Sequence, residues 1–195
     1  MKRAFLLLVV SLSGCATTTI TGFTDPDYRS KSYKNFVVVT PNLNLEYSSL
    51  LQGKVCSAIQ AKNASCVRGL DLFPPTRTFD NASIIQKLTE NKIDGYLLLT
   101  YGGGSTQSQQ VGTLAYGSAT VFANTISAYG SSTPVMSFSR SDGYGVVLID
   151  TQSYNKAWVG GTRTQAQGLA NITDDVFTGS LADQIAYELQ RAGHL

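Results

Sequence analysis

The succession from Asn35 to Ile59 most narrows what this chain folds into. Asn35-Phe36-Val37-Val38-Val39-Thr40 is a compact β-branched run stopped by Pro41, the pattern of a buried strand. Directly after it, Tyr47, Leu51, Val55 and Ile59 recur at i+4, with Leu50 and Ala58 beside them. That stripe is one face of a helix from about 45 to 62, ended by Asn63. A buried strand followed at once by an amphipathic helix asks for a sheet with helices packed on it. The same alternation continues along the chain. Cys66 to Phe73 reads as a second extended segment, closed by Pro74-Pro75. Asp80-Asn81-Ala82-Ser83 offers capping side chains to a short helix carrying Ile84, Ile85 and Leu88 and ending near Lys92. Tyr96 to Tyr101 is a third strand, and Gly145 to Asp150 pairs with Ala157 to Thr164 across a polar turn. Thr173-Asp174-Asp175 begins a last helix whose core face holds Phe177, Leu181, Ile185 and Leu189. The expected fold class is α/β, an α+β sandwich. It has a mixed sheet with about three helices packed on one face, in the order β-α-β-α-β-β-β-α.

One stretch departs from this rhythm. Between Asp94 and Arg140 there is no charged side chain. A solvated loop carries charge, and a buried core carries less Gly and Ser. Residues 102–140 therefore read as an uncharged hairpin or loop insertion. Either it simply extends the sheet, or it is an adhesive surface for another protein, for a second copy, or for a membrane. The residues that would make such contacts are Leu114, Tyr116, Phe122, Ile126, Tyr129, Met136 and Phe138. Asn124 and Ser127 interrupt the apolar alternation, so no run of about 9–11 residues alternates as a lipid-facing strand does.

The amino terminus says where the chain works. Lys2 and Arg3 precede an apolar run from Ala4 to Leu12, the charge and length of an export signal. It falls short of the roughly 20 residues that span a bilayer. Leu12-Ser13-Gly14-Cys15 resembles the lipobox of bacterial lipoproteins. That resemblance implies cleavage before Cys15, a diacylglycerol on its sulfur and an acylated amine. With Ala16 rather than aspartate next, it implies the outer membrane, with the domain facing the periplasm. The organisation is then a signal peptide at 1–14, a lipidated polar tether at 15–32 and a single periplasmic domain at 33–195. The tether's end is free to add to the sheet as an edge segment. Loss of Lys2 and Arg3 from 15 basic and 13 acidic residues leaves the mature chain neutral. With no basic cluster interleaved by aromatics, nucleic acid is not a partner. Cys56 and Cys66 remain. In an oxidising compartment they form a disulfide, in preference to a pair of buried free thiols.

Further along, Ile93-Asp94-Gly95-Tyr96-Leu97-Leu98-Leu99 is similar to a strand of a group of exported bacterial domains. Val147-Leu148-Ile149-Asp150-Thr151-Gln152, followed by Lys156-Ala157-Trp158, resembles their hairpin, with Ser153-Tyr154-Asn155 in place of the usual glycine turn. The group contains the curli-secretion lipoprotein, the amino-terminal domain of TolB and the lipoprotein activators of peptidoglycan synthases. Asp27 to Val39, DYRSKSYKNFVVV, is also similar to the opening of a periplasmic lipoprotein family. The resemblance implies a binding or assembly protein. Through the curli lipoprotein, whose insertion spans the membrane, it implies an oligomeric secretion pore as the alternative.

The residues offer little to chemistry. His194 is the one histidine and, next to the last residue, reads as a frayed terminal side chain. A Ser/His/Asp triad or a histidine metal site has nothing to build on. Asp25 and Asp27 flank a proline and read as turn residues, and Asp174 and Asp175 suit a helix's first turn. Tyr101-Gly102-Gly103-Gly104-Ser105 lacks the lysine and spacing of a phosphate loop. The expectation is a non-enzymatic, lipid-anchored envelope protein with no cofactor and no metal. It binds a protein partner or itself.

Overall fold

The computed structural model describes residues 16–122 and 125–195, with side chains at 16–115 and 131–195. Six strands form one sheet: β1 (Thr17–Thr24), β2 (Asn35–Val39), β3 (Ser65–Arg68), β4 (Gly95–Phe122), β5 (Thr125–Asp150) and β6 (Lys156–Gln167). Their spatial order is β1-β6-β5-β4-β2-β3. β2 runs parallel to both β3 and β4, and the remaining pairs are antiparallel. The helices are α1 (Leu45–Gln60), the single turn α2 (Gly69–Leu72), α3 (Asn81–Glu90) and α4 (Asp174–Arg191). This is the mixed sheet with packed helices that the sequence pattern predicts.

The β2 run is buried on both sides. Phe36 and Val38 face one hydrophobic cluster and Val37 the other. On the first side α1 contributes Leu51, Val55 and Ile59, and α4 contributes Leu181, Ile185 and Leu189, all at 1% exposure or less. Each such side chain stabilises the fold by about 1.5–3 kcal/mol. Asn44 caps α1 by accepting from the Tyr47 N–H at 2.8 Å, and Asp80 caps α3 through Ser83. The Cys56–Cys66 disulfide is present, linking α1 to β3.

Four expectations are corrected. The helices do not share one face: Leu88 of α3 and Leu72 of α2 cover Val37 on the side opposite α1 and α4, because that side of β2 also needs burial. The segment 66–73 is extended only to Arg68. Gly69 then turns into α2, packed so closely that a Cβ there would lie 2.7 Å from the Val38 carbonyl.

The third correction concerns the tether. Thr17–Thr24 pairs along its whole length with β6, from Thr17↔Gln165 to Thr24↔Trp158. Its threonines mimic linker composition, yet Thr18 is buried and its hydroxyl bonds both Thr164 (2.8 Å) and Ser180 (2.9 Å). Gly22 makes room for the Trp158 ring, which a Cβ would meet at 2.4 Å. Asp25 then caps a 3-10 turn at Pro26–Tyr28. Finally, His194 is not frayed but fully buried.

β4 and β5 stay paired from Gly95↔Asp150 to Phe122↔Thr125, with register shifts at Tyr101/Gly103 and Gln110/Gly112. Their neighbours stop early. β2 leaves β4 at Leu98, and β6 leaves β5 at Ser139. Beyond that point the hairpin runs on as a two-stranded ribbon of about 15 residues per strand, roughly 50 Å long.

Candidate functional site

The hairpin is seated by a polar cluster at its base. Arg140 of β5 bonds Asp142 at 2.8 Å and Asp174 at the start of α4 at 2.5 Å. It also donates to the Ile172 carbonyl at 3.1 Å and lies 4.4 Å from the centre of the Phe177 ring. Burial works against its charge, but the two carboxylates outweigh that and raise its pKa. Beside it the Tyr144 hydroxyl donates to the Tyr47 hydroxyl at 2.9 Å, and burial pushes the pKa of both phenols up. These contacts tie the base of the hairpin to α1 and to the start of α4.

Along the hairpin the predicted contact residues are not gathered onto one face. Leu114 is 52% exposed and Met136 44%, while Phe138 is partly buried. Leu114 pairs with Thr133, three residues from Met136. By the two-residue pleat it therefore lies on the opposite face from Met136 and Phe138. Tyr116, Phe122, Ile126 and Tyr129 hold the register positions Tyr116↔Ser131, Phe122↔Thr125, Val121↔Ile126 and Ser118↔Tyr129. Their side chains lie outside the described residues, as does Cys15. Every described residue from Tyr101 to Ala115 is exposed, and Val111, at 61%, is an exposed apolar residue that the sequence pattern did not single out.

The sheet face away from α1 and α4 carries a second feature. Phe23, Val159, Val147, Leu98 and Val39 are consecutive partners across β1, β6, β5, β4 and β2. They form an apolar row with Phe23 61% exposed. Below it, Ile84, Ile85, Leu88, Tyr96 and Ile149 line a cavity of about 330 Å³ between α3 and the sheet. Sequence reasoning missed both, since the row exists only once five strands are placed in register.

The titratable groups serve packing. The His194 Nδ1–H donates to the Lys31 carbonyl at 2.8 Å, its ring tilts on Tyr33, and its carbonyl accepts from the Tyr33 N–H at 2.9 Å. Burial holds the His194 pKa below its usual value despite that hydrogen bond. Lys31 in turn pairs with the buried Asp150, whose other oxygen accepts from the Gln152 and Ser153 N–H groups at 3.0 and 2.7 Å. Burial pushes the Asp150 pKa up, but the bonds from Lys31 and Ser153 outweigh it and hold it low. Asp25 accepts from the Asp27 N–H, a turn role as expected. Among the described residues no three His, Cys, Asp or Glu side chains are grouped to hold a metal, and no helix is long and apolar enough to cross a membrane.

No protein-family model matches the chain, and no curated protein does. Among solved structures it is similar to PelC from Paraburkholderia phytofirmans, solved as a dodecamer. The TM-score is 0.50 at 11% identity, covering 92% of this chain and 99% of that one. It is also similar to the lipoprotein GNA1162 from Neisseria meningitidis, with a TM-score of 0.46 at 10% identity, covering 81% and 99%. At such identities the first likeness is one of fold.

Proposed function

We propose that this chain is a non-enzymatic protein of the bacterial envelope, anchored by lipid on Cys15 to the outer membrane and facing the periplasm. It binds a protein partner through the β4–β5 hairpin. The observation that carries this reading is the charge-free ribbon itself. A two-stranded hairpin alone in water is marginally stable at best, and this one extends some 50 Å beyond its neighbouring strands, with residues 108–115 of β4 all exposed. A partner laid along it supplies the missing contacts. Engagement of His194 in packing, of Asp150 in a turn and of Asp174 in its ion pair with Arg140 supports a binding role over catalysis.

The test is crosslinked capture from envelopes with the full-length protein and a shortened variant. In the variant, an Asn-Gly turn between Gln109 and Ser137 replaces residues 110–136, keeping every β5–β6 pair. Partner recovery is expected to fall at least tenfold in the variant at unchanged Tm. Equal recovery of the same proteins from both defeats the hairpin's role.

A second reading is an oligomeric secretion pore. It is favoured by the start of β1 and the hairpin leaving the sheet at the same end: Thr17 lies opposite Gln165, two residues before β6 stops. The dodecamer of the PelC structure also supports it. A particle that sizes as a monomer in detergent and conducts no ions in planar bilayers rejects it.

A further inference from the structure

Above the level of Leu98 the sheet narrows to β1-β6-β5-β4, because β2 ends its pairing at Val39↔Leu98. This upper half has two lateral edges. One is β1, which pairs with β6 alone. The other is β4 from Leu99 onward. Natural sheets protect such edges with charges, proline, short length or bulges. The third edge of the molecule is protected in this way: β3 is four residues long, is held to α1 by the Cys66 disulfide, and ends in the Arg68–Asp71 ion pair.

The two upper edges carry neither charge nor proline, and the register shifts of β4 flank residues 103–110 without interrupting them. β1 reads TTTITGFT, with no charge and no proline, and Thr17, Thr19, Thr21 and Phe23 are exposed. Between its two register shifts β4 offers an unbroken run, Gly103–Gln110, GGSTQSQQ, again uncharged and fully exposed. Each edge is eight residues long.

The directions also match. β4 and β6 run toward the hairpin tip, while β5 and β1 run away from it. A second copy set beside the first in the same orientation therefore brings its β4 against β1 in antiparallel sense. Since Thr17 is level with Ser105 and Thr24 with Leu97, bringing 103–110 against β1 also slides the next copy by about five residues, the kind of stagger that closed barrels impose on tilted strands. A two-fold pairing of β1 with another β1 is antiparallel as well, but it turns one copy end over end. The two Cys15 residues would then point to opposite ends of the joined sheet, which one bilayer does not accept. It would also leave the β4 edge bare.

We propose that β1 of one copy pairs with residues 103–110 of β4 in the next, so that copies join edge to edge through a heterologous contact. Such a contact repeats, and it closes into a ring when the rotation per copy allows. The absence of charge along both edges lets the repeat form without like-charge opposition. This inference rests on the self-association and lipid-anchor readings above, and it adds which surfaces meet.

Thr21→Cys and Gln107→Cys, each in the lipidated full-length protein, give two distinguishable single-thiol proteins, since Cys56 and Cys66 are bonded to each other. Mixed and treated with a short bismaleimide, they are expected to crosslink at least fivefold more than either protein alone. Crosslinking of Thr21→Cys to itself at the same level, or no gain in the mixture, overturns the assignment. Independently, Thr19→Lys/Thr21→Lys and Ser105→Lys/Gln107→Lys should each convert the detergent-extracted assembly to monomers at unchanged Tm. If the unaltered protein is itself monomeric, the self-association reading falls and takes this one with it. If it is oligomeric and both lysine variants keep its size, the edge assignment alone is wrong.

Discussion

His194 shows how a single side chain ties the two ends of the domain together. Its Nδ1–H is committed to the Lys31 carbonyl and its ring packs on Tyr33, which leaves Nε2 as a buried acceptor without a protein partner. Protonating Nε2 puts a positive charge into that packed space, so the folded-state pKa is depressed by burial. The unfolded chain binds the proton at the ordinary value of about 6.5. The unfolded state therefore holds more protons in acid, and the stability from this site is present above about pH 6.5 and lost as pH falls below it. Because the chain has no other histidine, the effect is separable. Between pH 7.5 and 5.5 the Tm is expected to drop by several degrees, and His194→Gln should remove most of that drop. A Tm that stays flat over this range, or falls equally in His194→Gln, sinks the assignment. The same residue marks a limit of reading from sequence. Closeness to a chain end suggests fraying, and only the return of α4 to the 28–34 segment buries it.

At the scale of elements, the Cys56–Cys66 bond closes a ten-residue separation between α1 and β3. A loop of that size constrains the unfolded chain by about 2–3 kcal/mol. The double variant Cys56→Ala/Cys66→Ala is expected to lose that amount in urea unfolding, with the m-value retained or slightly raised. A loss under about 0.5 kcal/mol would show that β3 holds its place without the bond. Elements carrying a strong apolar period were legible: β2, α1 and α4 stand where Val37, Leu51 and the Leu181–Ile185 pair put them. β1 was not, because its inward positions are Thr18, Ile20 and Gly22: Thr18 is buried through Thr164 and Ser180, Ile20 is only partly buried, and Gly22 serves by leaving room for Trp158. The split of α3 from α1 and α4 was hidden for a similar reason. A strand buried on both faces reads as one continuous apolar run and does not say which helix takes which side.

For the molecule as a whole, the start of β1 would set the geometry of the proposed lipid attachment. Only Ala16 separates Cys15 from Thr17, so a lipid on Cys15 would be joined to the chain within about 7 Å of the first paired residue. Thr17 sits at the hairpin end of the sheet, while the Ser153–Asn155 turn sits at the far end, about 30 Å away along β5 and β6. With almost no slack, lipid on Cys15, as proposed, would hold the Thr17 end of the sheet nearer the bilayer than the Ser153–Asn155 turn. Two fluorescent labels test this in vesicles carrying nitroxide headgroups: one on Gln107→Cys near the anchor, one on Tyr154→Cys far from it. Quenching at Gln107 is expected to exceed that at Tyr154 several-fold. Inserting ten Gly/Ser residues after Ala16 frees the domain to tumble and should bring the two values together. Cys15→Ser should abolish palmitate labelling and vesicle retention, and with them both signals. Equal quenching of the two labels in the unaltered protein refutes the short-anchor geometry, and palmitate labelling of Cys15→Ser refutes the anchor itself.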